Sequence, residues 1–129
     1  MVERQTVPAI SPFAESMGYA RVVRIGPHVW VAGTAPVMPE GAEPPPDGYG
    51  QARRCLEIAL AAMAEVGAGA KDVVRTRVVV TRPEEFPGIA RAHGEVFANV
   101  RPVNTSYVIA ALFDPRWLVE IELEAYVDE

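Results

Sequence analysis

The succession of hydrophobic periods predicts an α+β fold in which two helices lie on one face of a mixed sheet, in the order β-β-α-β-α-β-β. Three observations carry this expectation: two β-rich runs broken by Gly26-Pro27, two segments of helical period around a β-branched run, and a strictly alternating last strand. At 129 residues the chain is expected to be one domain, 1–129, with room for one core.

Tyr19 to Ile25 and His28 to Thr34 are the first two strands, and Gly26-Pro27 between them reads as a hairpin turn. Pro36 to Gly50 holds five prolines and three glycines, too many for a regular element, and reads as a surface loop. From Gln51 the period changes. Ala52, Cys55, Leu56, Ala59, Leu60, Met63 and Val66 recur at helical spacing, Arg53, Arg54, Glu57 and Glu65 take the other side, and Gly67 is the natural stop. Cys55 on that stripe is expected to act as a small core residue.

Val73 to Thr81 is the third strand. Glu84 to Ala98 is the second helix, with Phe86, Ile89, Ala90, His93 and Phe97 on its apolar stripe, which makes His93 a core or interface histidine before a catalytic one. Asn104 to Ala111 and Leu118 to Val127 close the sheet across a turn at Phe113-Asp114-Pro115-Arg116. Trp30, between Val29 and Val31, is expected to pack. Trp117 either walls a cleft or covers a strand end. Laying both helices on one sheet face is the simplest way to bury both stripes.

Composition narrows the function classes. Half the residues are hydrophobic and 22% are charged, the balance of a folded, soluble domain. The net charge is −5 and the basic residues are scattered, so nucleic acid is not an expected partner. No apolar run reaches the ~20 residues of a bilayer span, and the N-terminus lacks the layout of a signal peptide, so a cytoplasmic protein is expected. One cysteine excludes an internal disulfide. Two histidines and one thiol make a poor metal cage, so neither metal nor cofactor is expected.

The last strand is the most informative local pattern. Val119, Ile121, Leu123, Ala125 and Val127 share one face, while Glu120, Glu122, Glu124 and Tyr126 share the other. Arg75 and Arg77 can offer counter-charges from the third strand. The acidic ladder is either a solvated face with weak ion pairs or a cleft in which a carboxylate does chemistry. Val78-Val79-Val80 and Val108-Ile109-Ala110-Ala111 are apolar on both faces, which points to a second copy of the chain covering the open face.

Ser11-Pro12-Phe13-Ala14-Glu15, Val31-Ala32-Gly33-Thr34-Ala35-Pro36, Gln51-Ala52-Arg53, Arg101-Pro102-Val103-Asn104-Thr105 and Val119-Glu120-Ile121-Glu122-Leu123-Glu124-Ala125 together resemble the Rid superfamily. This is the RidA/YjgF group, also labelled endoribonuclease L-PSP-like. The resemblance covers almost the whole chain. It implies a chorismate-mutase-like fold, a homotrimer with ligand clefts between subunits, and hydrolysis of reactive enamines and imines to 2-keto acids and ammonia.

Position by position, the resemblance also implies departures. The arginine that clamps the substrate carboxylate in deaminase members corresponds to Asn104, which can donate two hydrogen bonds but carries no charge. A site cysteine corresponds to Ser106, a tyrosine to Phe13 and a serine to Ala32. The glutamate that orients the attacking water is retained as Glu122. The expected site is therefore Glu122 as catalytic group, with Asn104, Thr105, Ser106, Phe13, Ala32 and Gly33 lining the cleft. Arg101 is the candidate replacement for the missing guanidinium. Three functions follow: an enamine/imine hydrolase of altered preference, poor on simple 2-imino acids; a non-catalytic metabolite-binding or partner-binding trimer; and a ribonuclease, which the negative charge disfavours.

Overall fold

The computed structural model describes residues 2–128. Its strands are β1 (Arg4–Pro8), β2 (Ala20–Ile25), β3 (His28–Thr34), β4 (Val73–Val80), β5 (Val103–Val108) and β6 (Val119–Tyr126); its α-helices are α1 (Ala14–Met17), α2 (Gly48–Ala64) and α3 (Phe86–Phe97). The strands form one sheet of order β1-β2-β3-β6-β4-β5. Only β4 and β5 run parallel, joined through α3; every other pairing is antiparallel.

Alternation along β6 decides which face is covered. Val119, Ile121, Leu123 and Ala125 are buried with Val29, Val31, Val78 and Val80 beneath the two long helices. The α2 stripe, Ala52, Cys55, Leu56, Ala59 and Met63, meets them, and α3 contributes Ile89, Ala92 and Phe97. The expected α+β architecture, with two helices on one face of a mixed sheet, is therefore what the chain adopts.

Several boundaries differ from expectation, each for a physical reason. β1 was not foreseen, because Arg4–Pro8 is an edge strand with Val7 as its one buried residue and so has no apolar alternation. The helix α2 starts at Gly48 rather than Gln51: Asp47 caps it by accepting the Gly50 N–H at 2.8 Å. Gly48 is a close-approach residue, since a Cβ there would lie 2.9 Å from the Glu85 carbonyl oxygen and from Ile89 Cγ1. Beyond its other end at Ala64 the chain turns at Gly67, φ +81°, with Ala68 N–H on Met63 O and Gly67 N–H on Ala64 O.

Glu84 and Glu85 occupy a 3-10 turn ahead of α3, and Glu85 Oε1 accepts the Gly48 N–H at 2.7 Å. On α3 Ala92 joins Ile89 and Phe97 on the buried side, while Phe86 and Ala90 are exposed. Trp30 does not pack in the core. It stands on the open face, 43% exposed, beside His28 at 5.7 Å between ring centroids. The last parallel strand ends at Val108, and Val103, Tyr107 and Val108 on it are half-exposed.

Candidate functional site

The site begins with an irregularity in the sheet. In the β3–β6 pairing, Val31 faces Leu123 and Thr34 faces Ile121, so Ala32 and Gly33 together oppose Glu122 alone. Two residues against one is a β-bulge, a feature that bends a strand and re-aims its side chains. Gly33 is the residue that fits. A Cβ on it would lie 2.3 Å from Glu120 Oε1, so the bare backbone makes room for that carboxylate.

Register then sorts the three glutamates of β6. Arg77 faces Glu122 and Arg75 faces Glu124, but Val79 faces Glu120. Arg77 Nη1 donates to Glu122 Oε1 at 2.5 Å and lies 3.4 Å from Glu124 Oε1; Arg75 Nε is 3.7 Å from Glu124. The Arg77 guanidinium is held charged, chiefly by its bond to Glu122. Glu120 is different: its carboxylate makes no hydrogen bond or ion pair among the described residues. Burial, and then the negative charge of Glu122, raise its carboxyl above the ordinary range against a smaller opposing pull from Arg21.

The parallel strand β5 brings only part of the expected lining to this face. Thr105 faces Arg77, and Tyr107 faces Val79, beside the acidic ladder. Asn104 and Ser106 alternate to the other side, toward the helices. There Ser106 Oγ donates to Asn104 Oδ1 at 2.9 Å, and Asn104 Nδ2 donates to Thr76 Oγ1 at 3.0 Å and toward Thr76 O at 3.4 Å. Thr76 Oγ1 lies 2.8 Å from His93 Nε2. Burial lowers the His93 pKa, which favours the neutral imidazole in this bond. The Asn104 amide nitrogen is thus engaged with Thr76 within the protomer.

Arg101 caps α3 in a left-handed conformation, φ +62°, its N–H on Phe97 O at 2.8 Å. It stands four residues before Thr105, ~13 Å along an extended chain. Among the described residues it forms no ion pair with Glu122, whose partner is Arg77. Phe13 precedes α1 and sits with its ring centroid 5.9 Å from that of Phe113, which is 89% exposed. These rings belong to the sheet end where β3 finishes and β6 begins, the end that also carries Gly33 and Glu120.

Glu120 and Phe113 were missed as site residues by sequence reasoning. For Glu120 a signal existed: the arginines at 75 and 77 give way to Val79 at the third rung. Phe113 looked like an ordinary turn residue. Cys55 is fully buried, its thiol pushed far up by desolvation, and it serves the core. Among the described residues no group of three His, Cys, Asp or Glu is placed to hold a metal, and no helix is long and apolar enough to cross a membrane.

Comparison with known proteins follows the same outline. The family model described as endoribonuclease L-PSP matches residues 9–127. An uncharacterised protein of Streptomyces coelicolor is 40% identical over 116 residues, 90% of this chain and 87% of its own. TdcF of Escherichia coli, named as a candidate reactive intermediate deaminase, is 30% identical over 129 residues, 97% of this chain and 93% of its own. Among solved structures, Rv2704 of Mycobacterium tuberculosis, a member of the YjgF/YER057c/UK114 family, superposes with a TM-score of 0.87 at 38% identity, covering 97% of this chain and all of its own.

Proposed function

Since this chain belongs to the endoribonuclease L-PSP family, the YjgF-type group of the Rid superfamily, we propose that it is an enamine/imine hydrolase with an altered substrate preference. Its site is completed by a second copy of the chain in a homotrimer. The observation that carries the preference is Asn104: it has no charge, and its amide nitrogen is bonded to Thr76. No charge-assisted clamp for a carboxylate remains at that position, and a factor of ten in binding is lost for each 1.4 kcal/mol.

Glu122, paired with Arg77, is the group that orients water. Ala32 and Gly33 leave space above it, and Phe13 with Phe113 supplies an apolar wall suited to larger or uncharged substrates. Half-exposed Trp30, Val103, Tyr107 and Tyr126, on the open sheet face, are the surface that trimer formation would cover. The name of TdcF supports the deaminase class. The net charge of −5 argues against hydrolysis of long RNA.

A second reading, a non-catalytic metabolite-binding trimer, is favoured by the apolar residues Phe13 and Ala32. One experiment separates the two. An amino-acid oxidase or an amine oxidase generates imines in situ, and semicarbazide traps what the protein leaves. Suppression of trapping with phenylalanine-derived or uncharged imines, and little with those from alanine, is the expected result. Fast suppression with the small 2-imino acid would overturn the altered preference. A folded trimer that suppresses trapping of none of them is the binding protein instead.

A further inference from the structure

We propose that Asn104 and Ser106 form an acceptor-only recognition position, which selects imines carrying an N–H or O–H donor beside the reacting carbon. The inference rests on the hydrolase reading and names its substrate class: amino-, hydroxy- or amide-substituted imines. A hydrogen-bonded chain through Thr76 and His93 sets that polarity.

The chain starts inside the protomer. His93 Nε2 lies 2.8 Å from Thr76 Oγ1, and its ring packs on Phe97 with centroids 4.8 Å apart. Thr76 is wholly buried on β4 and faces Asn104 across the parallel pairing. A carbonyl oxygen only accepts, so the amide nitrogen of Asn104 turns toward Thr76, 3.0 Å from Oγ1 and 3.4 Å from the carbonyl oxygen. That sets the amide oxygen outward. It too only accepts, so the Ser106 hydroxyl donates to it, at 2.9 Å. Across the pairing Ser106 faces Val78, whose buried side chain offers no other partner.

What this pair presents outward is therefore lone pairs. Ser106 Oγ has given up its one hydrogen, and Asn104 Oδ1 keeps a second lone pair. Both residues are exposed on β5, the edge strand of the sheet, where a second copy completing the site can approach. A carboxylate or ether oxygen placed there faces lone pairs, unless Ser106 breaks its bond to Asn104. A hydroxyl, ammonium or amide N–H meets an oriented acceptor instead. Sites built to hydrogen-bond a substrate O–H discriminate strongly against the analogue that lacks it. His93 and Thr76 act through Asn104, so they are positioning residues.

The test is calorimetric binding of ketones that share one benzyl group and correspond to carbonyl products: benzyl hydroxymethyl ketone, its methyl ether and phenylpyruvate. Wild-type protein should bind the hydroxymethyl ketone about tenfold more tightly than either of the others, the factor one oriented hydrogen bond supplies. Ser106→Ala should bring it within about twofold of its methyl ether. Asn104→Ala frees the Ser106 hydrogen and should close the same gap by strengthening the ether. His93→Phe keeps a ring against Phe97, drops the bond to Thr76 and should narrow the ratio, while His93→Gln, which can still bond Thr76, should restore it. Melting curves establish that each variant folds, and a merely structural role would weaken all the ligands together. Equal wild-type binding of alcohol and ether, tighter binding of phenylpyruvate, failure to bind the hydroxymethyl ketone, or an unchanged ratio in Ser106→Ala, Asn104→Ala or His93→Phe would overturn the assignment. Imine hydrolysis is assayed separately. A protein that hydrolyses imines without this preference loses only the acceptor position, and one that shows the preference without turnover loses only the hydrolase reading.

Discussion

Gln51 is fully buried at the first turns of α2, and its amide ties three segments together. Nε2 donates to Pro45 O at 2.9 Å and Arg116 O at 3.0 Å, and Oε1 accepts the Leu118 N–H at 2.7 Å. Through Leu118 the clamp sets the start of β6, two residues before Glu120. Replacing Gln51 by Leu keeps the volume and removes all three bonds. At about 1 kcal/mol net for each, with the buried Leu118 N–H left without its acceptor, the cost is about 3–4 kcal/mol. For a chain of this length that is roughly 10 °C in Tm. Thermal and urea unfolding at one fixed protein concentration reads it, because assembly would make Tm concentration-dependent. A loss below about 1 kcal/mol would refute the reasoning, since it would mean that the three partners find other hydrogen bonds at no cost.

Other consequences follow from the same geometry. Gly33→Ala places a Cβ against the mobile end of Glu120, so the protein should fold with a loss of about 1 kcal/mol or less while imine hydrolysis falls sharply; unchanged turnover would contradict the close approach. The Cys55 thiol should react with a disulfide reagent only at the rate of global unfolding, measured by thiolate release with and without urea. His93 has its pKa depressed by burial in the folded state, so its contribution is present above the unfolded histidine value of about 6.5 and is lost as pH falls through the lower folded value. Wild-type Tm should therefore drop on acidification below about pH 6.5 more steeply than that of His93→Gln, whose amide can donate to or accept from Thr76. Parallel profiles would contradict that sign.

How much of this was legible depended on whether local pattern or cross-chain contact decided the outcome. The α2 stripe and the β6 alternation are local, and Cys55, Leu56, Ile121 and Leu123 lie where the periods put them. The counter-charges at Arg75 and Arg77 were also readable, because strand alternation alone places them on one face. The start of α2 was not. Gly48 and Gly50 look like breakers in isolation, and the reason for Gly48 is Glu85, 37 residues away. Trp30 defeated the expectation that a tryptophan between valines packs, since β3 has a solvent face in the protomer.

In the candidate site, the positions of Ala32, Gly33 and Glu122 came from the resemblance, and the bulge that brings them together required the register. Listing Asn104, Thr105 and Ser106 as one lining ignored that neighbours on a strand point oppositely. Thr105 shares the acidic face, whereas Asn104 and Ser106 join Thr76 and His93 on the other.

The central claim is that this cleft hydrolyses imines without a carboxylate clamp, and one ratio tests it most directly. Oxidation of phenylalanine and of phenethylamine yields imines with the same benzyl group, the first carrying a carboxylate and the second none. Measuring kcat/KM for both with the wild-type protein, by competition with semicarbazide, isolates what the carboxylate is worth to the transition state. The account predicts that the uncharged imine is turned over at least as efficiently as the charged one. A preference of tenfold or more for the 2-imino acid would show a working carboxylate clamp and contradict the reading of Asn104.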